Sequence, residues 1–303
     1  MSRHEHIAVL MGGWSAEREI SLLSGQNCAR ALRNAGFTVT EVDVSEDLPQ
    51  VLKALAPDVA FNALHGVGGE DGVVQDMLEA LNIPYTHSGV QSSALAMDKV
   101  RAKEVFARHG LPVAADRVLE KTDYADHPMP PPYVIKPVSE GSSVGIHLVG
   151  QNDPVPACLS LDGWAFEGAV MAEAYVSGRE FTCAVMGDRP LEVMEIRPKA
   201  KFYDYQAKYT EGGSDHIVPA PIGRELRDTI REMAVTAHQV LGCRGVTRTD
   251  FIHDENGAGL TVLELNTQPG MTNLSLVPEM AAHDGVSYED LVTWMVEDAS
   301  CQR

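Results

Sequence analysis

No CxxC pair occurs anywhere in the 303 residues, and the five cysteines (Cys28, Cys158, Cys183, Cys243, Cys301) are scattered and odd in number. That excludes a zinc knuckle and a disulfide framework. It fits a reducing cytoplasm in which cysteine acts as a small buried hydrophobe. No apolar run approaches the roughly 20 residues of a membrane-spanning helix. The opening MSRHEHIAVLMGG has too short an apolar stretch for a secretory signal and reads as a first strand. Positive charge is scarce: 24 Lys and Arg against 43 Asp and Glu give a net charge of −19. Such a chain repels phosphate backbones, so nucleic acid is excluded as a macromolecular partner. A small phosphate ligand stays possible if lysines and a metal neutralise it locally. Two phosphate fingerprints are also missing. IAVLMGGWSAE lacks GxGxxG, which argues against a dinucleotide-dependent oxidoreductase, and no GxxxxGK[ST] loop occurs.

What is present is an ordinary soluble composition, 44% hydrophobic and 22% charged, in a chain long enough for two or three domains. The first ninety residues alternate strand and helix. IAVLMGG (7–13), TVTEVDVS (38–45) and VAFNALHG (59–66) read as strands. Helices are predicted at about 20–35, over LPQVLKALA, and over VVQDMLEALNI, the last stopped by Pro84. This pattern predicts a parallel sheet whose ligands gather at the carboxyl ends of its strands, near Gly12-Gly13 and Gly66–Gly69. Residues 92–110 read as one helix ending at Gly110. Strand patterns dominate 113–180: YVIKPVSEGSSVGIHLVG gives strand, Gly/Ser loop, strand, and AVMAEAYV with REFTCAVMG reads as a further strand pair. The stretch between Gly150 and Ala172 carries few helical signals. Residues 202–216 lack periodicity and read as a long loop. An amphipathic helix is predicted at 225–242, then a hairpin from RTDFIHD and LTVLELNT turning near Asn256-Gly257.

Candidate chemistry begins in that hairpin. Glu264 and Asn266 lie two apart on one strand and therefore share a face. If the turn centres near Asn256-Gly257, Asp250 comes opposite them. Three oxygen donors without His or Cys suit a hard cation such as magnesium; the alternative is a plain solvent-facing set of acids, with Arg248 beside them. Lys136 ends an apolar strand beside EGSSVG, where backbone N–H groups and serines can approach an anion, although a Gly/Ser turn alone is ordinary. In GGWSAEREIS, Ser15 reads as a helix cap, and Glu17 is placed to meet a ligand ammonium group. His65 leaves a strand amid glycines, which suits either a structural or a functional histidine.

Taken together and in order, GGWSAEREISLLSG, ALHGVGGEDG, YTHSGVQSSALAMDK, VIKPVSEGSSVG, FYDYQAKY, GVTRTDF and LELNTQPGMT resemble the D-alanine–D-alanine ligase family of the ATP-grasp superfamily, over about residues 7–295. The resemblance implies an α/β, three-domain ATP-grasp fold: an N-terminal parallel α/β domain (1–95), a central lid (96–180) and a C-terminal domain (181–303) carrying metal and catalytic residues. It implies ATP-dependent joining of two D-alanines through a D-alanyl phosphate, for peptidoglycan precursors in a bacterial cytoplasm. ATP and two Mg²⁺ ions (Mn²⁺ substituting) are the implied cofactors, and a homodimer the implied assembly, with no membrane partner.

Residue by residue, the resemblance implies that Lys99 and Lys136 contact ATP phosphates, with Ser143, Phe202 and Lys208 also in the ATP site. Glu173 and the backbone near Val176 read adenine, and Glu180 the ribose. Glu17 binds the first substrate's ammonium group, in a chain with Ser142 and Tyr209, and His65 lies nearby. Arg248 and the Gly270 N–H stabilise the tetrahedral oxyanion. Ser275 and Leu276 engage the second carboxylate, Lys208 a phosphate or carboxylate, and Asp250, Glu264 and Asn266 the metal. Tyr209 within Tyr-Asp-Tyr-x-x-Lys-Tyr favours a dipeptide over a D-lactate ester. One departure is Ala174, where many relatives carry Lys or Arg. Rival readings are a related ligase using D-lactate, D-serine or a different amine acceptor, and a non-catalytic nucleotide- or amino-acid-binding protein on the same scaffold.

Overall fold

The computed structural model describes residues 6–141, 145–164, 166, 168–199 and 213–302. Ser142, Ser143, Phe202, Lys208 and Tyr209, and with them half of the Gly/Ser loop and most of the 202–216 segment, lie outside the described residues.

Three sheets carry the chain. The first is parallel, in the order β2-β1-β3, from β1 (His6–Gly12), β2 (Thr38–Val44) and β3 (Val59–Asn62). Strand β1 is buried along nearly its whole length, as a central strand covered on both faces must be. Helix α1 (Arg18–Asn34) packs Cys28, Ala31 and Leu32 on one face, and α2 (Leu48–Leu55) and α3 (Val73–Leu81) pack Leu52, Val74 and Leu78 on the other. Strand β3 is shorter than the expected 59–66. After Asn62 the Leu64 N–H turns to the Asn62 side chain at 3.2 Å, and the chain leaves the ladder for the site. Helix α3 ends not through Pro84 but at Asn82, which adopts the left-handed conformation (φ 53°). Ser15 does not cap α1 either. It lies two residues before the terminal Glu17, accepting from the Glu17 N–H and donating to the His65 carbonyl at 2.6 Å.

The expected single helix at 92–110 is two, α4 (Val90–Met97) and α5 (Lys99–Arg108). Asp98 between them is extended (φ −84°, ψ 97°), and its carboxylate accepts from the Arg101 N–H at 3.0 Å. A short acidic side chain competes for the backbone in this way, ending one helix and capping the next. The break puts Lys99 in the first turn of α5.

The second sheet is antiparallel, in the order β4-β7-β5-β6: β4 (Asp116–Leu119), β5 (Tyr133–Pro137), β6 (His147–Val149) and β7 (Val170–Ala174). Between β6 and β7 one 3₁₀ turn, Ala157–Leu159, is the helical structure among the described residues, in line with the sparse helical signals there. The third sheet runs β11-β10-β8-β12-β13 with β9 (Arg189–Pro190) beside β8. Its members are β8 (Arg179–Met186), β10 (Met194–Pro198), β11 (Ser214–Ile217), β12 (Val246–Asp254) and β13 (Gly259–Asn266). Two expectations change here. β7 and β8 are not partners but belong to different sheets. At Gly178 a Cβ would lie 2.2 Å from the His253 carbonyl oxygen, so only glycine lets the chain enter the third sheet at that point. The end of the expected 202–216 loop is also strand, from Ser214.

Helix α6 (Arg224–Val240) packs its apolar side with α5 on one face of the third sheet, around Phe106, Phe181, Ile230, Ala234 and Phe251. Helices α7 (Leu276–His283) and α8 (Tyr288–Asp298) share a second cluster with Leu32, Phe61 and Val246, which joins the first sheet to the third. The cluster under the second sheet is drawn from residues 119–172 alone. Burial pushes the thiols of Cys28, Cys183 and Cys243 up to about 12, which suits inert core positions. No helix among the described residues is long and apolar enough to cross a membrane.

Candidate active site

The hairpin β12–β13 turns where the sequence predicts, and a bulge then sets the register of its far end. Asp250 faces Glu264, and Arg248 faces Asn266. A register shift follows at once: Phe251 pairs with Val262, and Leu263 bulges from the ladder. Four polar side chains therefore leave one face of two neighbouring strands. Arg248 grips Asp250 with two parallel hydrogen bonds, Nε to Oδ1 at 2.9 Å and Nη2 to Oδ2 at 2.8 Å. The Thr182 hydroxyl, from β8, donates to Oδ1 at 2.7 Å. Oδ1 thus has both acceptor positions taken, and Oδ2 keeps one. The Asn266 side-chain oxygen accepts from the Gln268 N–H at 2.7 Å and likewise keeps one. Glu264 is about a third exposed and lies 3.7 Å from the Lys99 ammonium. Among the described residues no cluster of three or more His, Cys, Asp or Glu is placed to hold a metal. Two carboxylates and an amide oxygen remain, a donor set whose chemistry fits a hard cation that keeps several waters.

These strands form one wall of a cleft. Glu17, His65, Lys99, Gly141, Arg248, Glu264, Asn266, Gly270, Ser275 and Leu276 all line it, drawing on all three sheets and their exits. Glu17 ends the β1 loop and is almost wholly buried. Its carboxylate is hemmed by glycines: a Cβ on Gly66 would come within 2.9 Å of Oε2, and one on Gly141 within 2.8 Å. His65 is buried with Nδ1 3.2 Å from Glu70 Oε1 and Nε2 3.2 Å from the Ser24 hydroxyl. Burial alone would lower its pKa; the Glu70 carboxylate, with Glu17 behind it, outweighs burial and raises it. Ser24 also accepts from the Met271 N–H at 3.2 Å. The Gln268 amide joins the Leu64 carbonyl and, at 2.7 Å, the Asn62 side chain. The loop carrying Gly270 is therefore bolted to the end of β3. Ser275 ends that loop as the residue before α7, its hydroxyl accepting from the Thr272 N–H at 2.9 Å. Ser275 and Leu276, at the start of α7, line the cleft, and the first turn of a helix favours an anion.

Lys99 spans the sheets. Its N–H donates to the Val138 carbonyl at 3.1 Å, and its ammonium to the Glu140 carbonyl at 2.6 Å. Lys136 and Glu173 stand diagonally on one face of β5 and β7, with Nζ 2.6 Å from Glu173 Oε2. Val176 follows β7, and Glu180 lies near the start of β8, both half-buried. Asp250, Lys136, Glu173, Val176 and Glu180 are not in the wall of the cleft described above. Asp250 lies behind Arg248, and the other four lie on or beside strands β7, β5 and β8.

Several participants were not singled out in the sequence. Glu70, Thr182, Ser24 and Gln268 are among them. Lys103, one turn after Lys99 on α5, was not singled out either, and it is 3% exposed. The four-residue spacing was the available signal.

A family model described as "D-ala D-ala ligase C-terminus" matches residues 105–297. The D-alanine–D-alanine ligase of Parvibaculum lavamentivorans is 56% identical over 309 residues, covering 100% of both chains. That of Methylorubrum populi is 54% identical over 305 residues, covering 99% of each. Among solved structures, the D-alanine–D-alanine ligase of Bacillus anthracis complexed with ATP superposes with a TM-score of 0.83 at 29% identity, over 97% of each chain. With this cleft, these three sheets and identity of this extent over its whole length, the chain belongs to the D-alanine–D-alanine ligase family.

Proposed function

We propose that the protein joins two D-alanines at the expense of ATP. The carboxylate of the first D-alanine takes the terminal phosphoryl group, releasing ADP and forming D-alanyl phosphate. The neutral amine of the second attacks that carbonyl carbon. The C–N bond forms, inorganic phosphate leaves, and the amine's surplus proton is released. The observation that carries this reading is the gathering of Glu17, Lys99, Arg248, Glu264 and Gly270 around one cleft. It supplies an ammonium acceptor, a phosphate cation, a guanidinium and a backbone donor together. Membership of the family supports the reaction and its place in peptidoglycan precursor synthesis.

In-line phosphoryl transfer needs positioning and charge neutralisation more than covalent help. Glu17 holds the first ammonium group and His65 lies beside it. Lys99 and Lys136 take nucleotide phosphates. Glu173 and the Val176 backbone hold adenine, and Glu180 the ribose. Arg248 and the Gly270 N–H meet the charge developing on the tetrahedral oxygen. Ser275 and Leu276, at the start of α7, receive the second carboxylate. Magnesium held by Asp250, Glu264 and Asn266 would neutralise the phosphate oxygens; two ions are expected, with Mn²⁺ able to replace them. Ser142, Ser143, Phe202, Lys208 and Tyr209 complete the reading from family resemblance. The same reading gives three domains, 1–95, 96–180 and 181–303. In its support, each sheet falls within one segment, apart from the first two residues of β8. A homodimer in a bacterial cytoplasm completes the proposal.

The test is phosphate release from ATP and Mg²⁺ with D-alanine, D-lactate plus D-alanine, D-serine plus D-alanine, or L-alanine, with product mass determined. Turnover with D-alanine alone and a D-Ala–D-Ala product is expected. Turnover with a mixed pair alone would overturn the substrate assignment, and ATP binding without turnover would leave a binding protein.

A further inference from the structure

Lys103 is a buried cation outside the roles given so far. Its ammonium lies 2.8 Å from Asp116 Oδ1 and 2.5 Å from Glu173 Oε1. Asp116 and Glu173 are register partners on β4 and β7, so both carboxylates come from the second sheet. Lys103 itself comes from α5, whose Ala102 and Phe106 pack into the cluster under the third sheet. Glu173 is thus clamped from both sides, Oε1 by Lys103 and Oε2 by Lys136.

Stability does not account for this arrangement. Long charged side chains lose solvation on burial, and apolar replacements of such networks are often neutral or stabilising. The geometry has a better account in the nucleotide site, and this account rests on the function proposed above. Lys136 is the phosphate ligand of that reading. When it turns to phosphate, Glu173 Oε2 loses its partner and is left to accept from a base. An ionised carboxylate accepts and never donates. A 6-amino purine satisfies it, and a 6-oxo purine leaves two acceptors facing each other. Lys103 stays on Oε1 throughout. It keeps the carboxylate in place and keeps it ionised: burial would raise the Glu173 carboxyl, and Lys136 and Lys103 outweigh burial and hold it below the usual carboxylate range.

We propose that Lys103 is a positioning residue for base recognition, holding Glu173 as a fixed acceptor so that the site takes a 6-amino purine nucleotide over a 6-oxo one. The test is binding of ATP and of ITP to the full chain by titration calorimetry, without D-alanine, alongside steady-state KM values for ATP and D-alanine. The variants are Lys103→Met, Lys103→Gln and Lys103→Arg. The wild type should prefer ATP. Lys103→Met and Lys103→Gln should weaken ATP at least about tenfold and ITP by less than about threefold, leaving KM for D-alanine unchanged. Lys103→Arg should recover most of the preference. Gln keeps a neutral donor on a side chain one bond shorter, so it serves where Met fails to fold. An unchanged ATP/ITP ratio in the variants overturns the proposal, as does equal weakening of both nucleotides. A wild type that turns over D-alanine but binds ATP and ITP alike overturns this inference alone; one that binds no ATP overturns the proposed function as well.

Discussion

Replacing Arg248 by Met separates a structural role from a chemical one. Arg248 and Asp250 are both nearly buried and exchange two charge-assisted hydrogen bonds at 2.8 and 2.9 Å. Removing the guanidinium leaves the Asp250 carboxylate facing the Thr182 hydroxyl alone. An uncompensated buried charge of this kind costs about 3–5 kcal/mol, and a chain of this type has roughly 5–15 kcal/mol in total. With a urea slope of about 3 kcal/mol/M, the midpoint should fall by about 1 M or more. Asp250→Asn added to Arg248→Met removes the stranded charge. The double variant should therefore regain most of that loss, giving a coupling energy on the order of 2–4 kcal/mol. Turnover behaves differently. Losing an oxyanion donor costs roughly 10²–10³ in kcat, and the double variant also lacks a metal donor, so its activity stays lost. The assays are urea unfolding and phosphate release on the two single variants and the double. An Arg248→Met midpoint equal to wild type refutes the stability argument, and so do additive losses in the double. Near-normal kcat in Arg248→Met refutes the oxyanion role.

Two further outcomes follow from the geometry. Gly141→Ala places a methyl 2.8 Å from Glu17 Oε2, which must move the carboxylate. The KM for D-alanine should rise roughly tenfold to a hundredfold with ATP affinity unchanged, since small misplacements cost that much; an unchanged KM in steady-state assays would remove Glu17 from substrate binding. His238 is buried, with Nδ1 2.8 Å from the Thr247 hydroxyl, and burial pushes its pKa down to about 4. Between there and the unfolded value of 6.5 the unfolded chain binds a proton that the folded chain does not. This contribution is therefore complete above pH 6.5 and is lost as pH falls toward 4, amounting to about 2 kcal/mol by pH 5. His238→Gln should flatten that part of the urea-midpoint profile, and an unaltered slope between pH 6.5 and 5 would contradict it.

Much of the site was legible because strand alternation is strictly local. Glu264 and Asn266 had to share a face, but a turn at Asn256-Gly257 alone would pair Asp250 with Leu263; the bulge at Leu263 is what brings Asp250 and Arg248 opposite them. The parallel N-terminal sheet followed from repeated strand, glycine and helix, and the motifs carried the family. What escaped depended on partners distant in sequence. The break at Asp98 was hidden because an unbroken apolar pattern outweighs one capping side chain. Strands β7 and β8 looked like a pair because nothing nearby reveals that Gly178 must pass the His253 carbonyl.

The chain's order thus determined by itself which residues face together along each strand, where the parallel unit lies, and which oxygen donors can serve a hard cation. These rest on periodicity and short-range sterics. The tertiary structure decided that Gly66 and Gly141 close around Glu17 and that Gln268 and Ser24 bolt the Gly270 loop to β3. It also decided that Lys103 is buried against Asp116 and Glu173. A buried charge is specified by the partner that compensates it, and that partner is supplied by another sheet.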